Sequence, residues 1–213
     1  MKFPNAHSGV KKIYIAQILS LVISVLFVIS AILALASVKL ESELGALAVV
    51  AAVSTLVLVL AEMIPMILEI VGLVQAKKDE PCFKNALVFM LIALGAQVLS
   101  SALNKIVVVS RICEIVSEAA QLGALLFIIQ GILLLAEPLK RTDVARLGQL
   151  EYRILTTAYI TIVLVNVLST VFFYLPDVLI IGSWLTIAAQ VLRVVAYVIY
   201  LVFLAKSVKM LRE

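Results

Sequence analysis

Six long, continuous apolar runs, at about 13–37, 46–76, 85–104, 106–136, 154–175 and 178–205, constrain this chain more than any other feature of its sequence. Each reaches the ~20 residues that an α-helix needs to cross a hydrocarbon core of ~30 Å. A transmembrane β-barrel would show alternating segments instead, so it is excluded. With 64% hydrophobic residues, 14% charged residues and a mean hydropathy of +1.22, the chain has more apolar surface than one water-soluble core can hide. The sequence therefore predicts an all-α polytopic membrane protein, a single membrane domain over 1–213 with six transmembrane helices and the lipid bilayer as its main partner.

The basic residues are sorted by loop. Lys2, Lys11 and Lys12 precede span 1; Lys77, Lys78 and Lys84 join spans 2 and 3; Lys140, Arg141, Arg146 and Arg153 join spans 4 and 5; Lys206, Lys209 and Arg212 follow span 6. Those thirteen face only Lys39, Lys105 and Arg111 on the other side, with Arg193 inside a span. The asymmetry predicts a multi-pass protein of the plasma (inner) membrane with both termini in the cytoplasm. It also argues against nucleic acid as the reason for the formal charge of +4, because the cations form no patch. Lys11, Lys12 and the "ALA" at 34–36 resemble a cleavable signal peptide, but the apolar run is too long for one, and retention is expected.

A threefold pattern follows. The odd spans each open on a cation (Lys12, Lys84, Arg153), and "VLS" recurs at 98–100 and 167–169. The even spans share "AEM" at 61–63, "AQL" at 120–122 and "AQV" at 189–191. Three helical-hairpin repeats are expected, at about 10–78, 82–138 and 150–208, each with a shorter first helix and a longer second one. In architecture and basic-loop pattern the chain resembles the small six-span proteins of bacterial membranes, a resemblance that carries no motif and no functional residue. Six spans in about 200 residues also resemble the substrate-binding subunits of energy-coupling-factor vitamin importers, without their substrate-contacting motifs. The three-hairpin layout resembles the six-span acid-resistance membrane proteins, without their glycine-rich helix starts.

Depth along each helix, at ~1.5 Å per residue, gathers the polar residues into a layer. Glu62 in span 2, Arg193 in span 6, Gln97 in span 3 and Asn166 in span 5 all fall roughly 20 Å from the basic boundary, with Gln121, Gln190 and Ser24 close by. Glu69 lies roughly 10 Å in, at the depth of Gln130 in span 4. Glu62 and Glu69 are seven residues apart and share a helix face, which must turn inward because a carboxylate in lipid is costly. Pro65 lies between them and frees the carbonyl of Ala61, which a polar cavity can satisfy. Glu62 and Arg193, matched in depth and opposite in charge, are expected within reach of each other. At the outer end of span 4, Arg111, Glu114, Glu118 and Gln121 follow three- and four-residue spacing, the pattern of a hydrated vestibule or of an amphipathic segment in the headgroups.

Two classes of function remain. The polar layer fits a small-solute or proton-linked transporter, or its membrane-embedded binding subunit. The alternative is a non-catalytic adaptor docking on a protein partner, with the amides serving as interhelical glue. An enzyme is not expected: there is no Ser/His or Cys/His arrangement and no phosphate loop. His7 and the widely separated Cys82 and Cys113 give no metal-ligand spacing, so neither a metal nor another cofactor is implied. The orientation has a direct check. Membrane-impermeant thiol reagents applied from outside should label cysteines engineered near Glu41 or Asp177 and miss those near Asp79 or Asp143. The opposite pattern would invert the topology.

Overall fold

In the computed structural model, residues 2–38, 44–103, 106–172 and 179–212 are described, and all of the regular structure among them is helical. The described residues form six helices: α1 (Pro4–Val38), α2 (Leu44–Ala76), α3 (Cys82–Ala102), α4 (Val107–Ala136), α5 (Thr142–Phe172) and α6 (Leu179–Arg212). Among the described residues, Pro4–Leu26, Cys82–Ala102, Ile112–Ala136 and Val194–Arg212 are long and apolar enough to cross a membrane. Large apolar side chains such as Val25, Val57, Ile64, Leu91 and Val98 point outward and are about half exposed or more. Hydrocarbon is the solvent that suits such a surface.

The helices pack most extensively in sequential pairs, α1 with α2, α3 with α4 and α5 with α6. Thinner contacts join α2 to α3 and α4 to α5, and α6 returns to α1, so the six helices close into a ring. The expected alternation of short and long helices is not general. The α3 helix has 21 residues against 30 in α4, but α1 has 35 against 33 in α2. The reason is that apolar length measures the span alone, whereas α1 begins at Pro4 and α5 at Thr142, well before their apolar runs.

The α1–α2 pair is held by backbone proximity. Gly9 and Gly72 meet at the crossing: a Cβ on Gly72 would stand 2.7 Å from the Gly9 carbonyl oxygen and 2.9 Å from Ile13 Cγ1. Ala6, Val10, Ile13, Leu73 and Ala76 are sealed around the crossing. Between lipid-embedded helices, close approach of small residues takes the place of hydrophobic drive as the source of attraction.

One end of the ring collects the basic segments. The Asp79 carboxylate in the α2–α3 turn accepts from Asn5 Nδ2 (2.9 Å) and from the Ala6 backbone N–H (2.7 Å), capping the first turn of α1. An anion there satisfies a free N–H and meets the positive end of the helix dipole. Lys2 Nζ donates to the Pro138 carbonyl in the α4–α5 turn at 3.5 Å, and His7 lies within electrostatic reach of Arg212. In that turn Lys140 takes a left-handed conformation (φ 53°), with the Arg141 N–H donating to Ala136 O and the Lys140 N–H to Glu137 O. This is the paired bonding of a left-handed helix stop, here without the usual glycine. The most sealed part of the core lies toward this end, where Phe83, Ile128, Ile132, Phe203, Leu204 and Leu211 pack together.

Substitution tests the crossing. Gly72→Leu should destabilise the protein by about 3 kcal/mol or more and sharply reduce folded yield in detergent, because its neighbour is backbone and cannot yield. Gly95→Ala, which meets nothing within 4 Å, should be neutral or slightly stabilising. Equal thermal stability of the two variants would refute the close crossing.

Candidate functional site

The ring encloses a cavity of about 690 Å³. Its chemistry comes from five helices: Gln17, Ser20 and Ser24 of α1, Glu62 and Glu69 of α2, Gln97 of α3, Gln121 of α4, and Tyr197 and Tyr200 of α6. Tyr159 and Leu155 of α5 and three methionines, Met63, Met66 and Met90, complete the wall. Helix periodicity explains the convergence. Gln17, Ser20 and Ser24 are spaced by three and four, and Glu62 and Glu69 by seven, so each set occupies one face. The α2 helix continues through Pro65, which stands between the two glutamates.

The cavity is open at the level of Glu62 and Gln97, which line it and remain exposed. Deeper in, it is bonded across helices. Gln17 Nε2 donates to Glu69 Oε2 at 3.1 Å, tying α1 to α2. The Tyr197 hydroxyl donates to the Gln17 carbonyl at 2.5 Å, tying α6 to the same residue. On the other side, Gln121 Nε2 donates to Ser117 Oγ at 3.4 Å, and Ser117 Oγ to the Ala93 carbonyl at 3.0 Å, joining α3 to α4. Gln17 is thus the hub of three helices. Its amide holds a carboxylate in a low-dielectric wall, where an acceptor without a donor would be strongly unfavourable.

Of the residues expected in one layer, Ser24, Glu62, Gln97 and Gln121 share this cavity, and Glu69, expected nearer the basic boundary, lines it too. The side chains of Arg193, Asn166, Gln190 and Arg111 lie outside the described residues, and so does the expected contact between Glu62 and Arg193. The α2 and α6 helices do face each other here, since both line the cavity. Gln130 does not join Glu69. It is exposed and lines a separate groove with Glu137, Lys140 and Gln149. Depth alone carries no direction: Gln130 is nine residues, two and a half turns, beyond Gln121, and so falls on the opposite face of α4. Glu114 is exposed and Glu118 half-buried, and neither lines the cavity.

Gln17, Ser20 and the three tyrosines were not anticipated, although the spacing of Gln17, Ser20 and Ser24 was available in the sequence. Among the described residues, no group of three or more His, Cys, Asp or Glu side chains could hold a metal ion. The chain matches no family model, and it is similar to no curated protein and no solved structure.

Gln17 and Glu69 should be energetically coupled. Gln17→Leu alone should cost about 1–3 kcal/mol by stranding the Glu69 carboxyl, and Gln17→Leu with Glu69→Leu should cost less than the two single losses combined. Thermal unfolding of the four proteins in one detergent measures this, and strictly additive losses would show no coupling.

Proposed function

We propose that this chain is a six-span integral membrane protein, built as three hairpin repeats, that acts as a small-solute or proton-linked transporter or as the membrane-embedded binding subunit of one. One observation carries the proposal: the cavity brings Glu62 and Glu69 together with Gln17, Gln97, Gln121 and three tyrosines inside an otherwise apolar ring. Packing alone would place amides in contact across helices without a void. A partly open cavity of this size, with a few convergent polar groups on mostly apolar walls, has the form of a ligand site. The repeat reading has support at the same place, because Glu62 and Gln121 hold the middle position of "AEM" and "AQL" and both line the cavity. The collection of basic turns and the first and last helix ends at one pole fits a plasma membrane protein with both termini in the cytoplasm.

In this reading the solute enters at the open level near Glu62 and Gln97, hydrogen-bonds to the amides, and is neutralised or charge-paired by the carboxylates. Ring seams between hairpins, thinner than the contacts within them, are where the bundle would part to release it. Protons are the alternative cargo at the same carboxylates.

Purified protein should show solute-dependent thermal stabilisation against a panel of small polar compounds, by roughly 2.7 kcal/mol at a hundredfold excess over Kd. Glu62→Gln or Glu69→Gln should remove that response while the fold persists. A protein that answers to no solute and no pH step but co-purifies with a partner at fixed ratio would overturn the transporter reading in favour of an adaptor.

A further inference from the structure

Behind the cavity wall lies a second ionisable group. Glu151 of α5 stands just before the apolar run at 154–175, at the basic end of that helix. Its side chain has no solvent exposure, and neither Oε1 nor Oε2 has a hydrogen-bond partner. A second orphan accompanies it. The hydroxyl of Tyr200 on α6 is also buried without a partner, and the Tyr200 ring lines the cavity. Tyr200 lies within electrostatic reach of Glu69 on the cavity side and of Glu151 on the other, with Tyr159 and Tyr197 nearby. Buried polar atoms without partners are rare in folded proteins, and two groups of them within electrostatic reach of each other ask for a function.

We propose that Glu151 is a proton-binding site behind the cavity wall, loaded and unloaded through the hydroxyl of Tyr200. This rests on the transporter reading above for its purpose, and it assigns the proton a residue and a route. The two groups are not hydrogen-bonded to each other, so the step runs through one bridging water: the water gives a proton to a Glu151 carboxylate oxygen and takes one from the Tyr200 O–H, while the phenolic oxygen takes one from the cavity. Tyr200 ends unchanged and Glu151 ends neutral; the reverse step returns the proton.

Burial supports the assignment. It pushes the Glu151 carboxyl up to about 7, with no charged group contributing to the shift. Of the helices packed on α5, α6 presents Tyr200, and no charge on α4 acts on Glu151 among the described residues. A carboxyl raised in the folded state favours folding when protonated. That advantage is full below its ordinary value of 4.5, is lost as pH rises to about 7, and is flat beyond.

Infrared difference spectra of the wild-type protein in lipid nanodiscs test the site directly. Between pH 5 and 8.5 buried carboxyl C=O absorption should be lost, and Glu151→Gln should delete one component band of that loss that Glu69→Gln retains. The Tm of the wild type should fall between about pH 4.5 and 7, and the fall should be smaller in Glu151→Gln. After a pH jump, Tyr200→Phe should slow the loss of the band at least tenfold. A wild-type protein without a titrating band overturns the site whatever the variants do. A C=O loss of unchanged size in Glu151→Gln also overturns it, and unchanged kinetics in Tyr200→Phe overturn the route. A titrating Glu151 with no solute binding would leave this proposal standing and remove solute transport; solute stabilisation without the band would do the reverse.

Discussion

Hydrocarbon cannot hydrate a carboxylate, and that constraint arranges everything else in this ring of helices. Glu62 and Glu69 must face something other than lipid, so α2 must turn one face inward, and its neighbours must offer partners there. Gln17 does so for Glu69. The outward faces are then left to Val, Leu and Ile, with no need to bond to anything. The same constraint gives small and polar contacts a part in joining the ring: backbone proximity at Gly9 and Gly72 and single hydrogen bonds act beside the large apolar side chains packed at the basic end.

The basic pole and the middle of the bundle use different physics. At the basic pole the core is dry and aromatic-rich, and its turns are fixed by Asp79 and by the left-handed Lys140. Toward the middle, the interior loosens into the cavity, and bonding passes from backbone caps to amide and hydroxyl side chains. A rigid end and a hollow middle let the polar groups stay in place without filling the space between them.

Much of this was legible in the sequence because lipid leaves so few solutions: six apolar runs became six helices, and shared depth located Ser24, Glu62, Gln97 and Gln121 of the cavity. What depth could not supply was azimuth. Gln130 had the right height and the wrong face, whereas the seven-residue interval between Glu62 and Glu69 encoded both. The tyrosines were hidden for a different reason. In an apolar run a tyrosine reads as one more large side chain, and only tertiary packing shows where its hydroxyl is aimed. Glu151 was passed over as part of a charged connection, since its neighbours Arg146 and Arg153 are exposed while it alone is buried.

The order of contacts around the ring has a consequence for how the protein is made. Helix neighbours in space are mostly neighbours in sequence, so each hairpin can pack soon after it leaves the ribosome, with little loop-closure entropy to overcome. The seam between α6 and α1 is the exception. Its bond from Tyr197 to Gln17 spans 180 residues and has to wait until the last helix is synthesised. Until then Gln17 and Glu69 stand at an unsealed edge, and a nascent chain halted before α6 would expose to lipid the polar groups that the finished ring encloses. Quality control in the membrane therefore has a ready signal for incompleteness, carried by the residues that line the cavity.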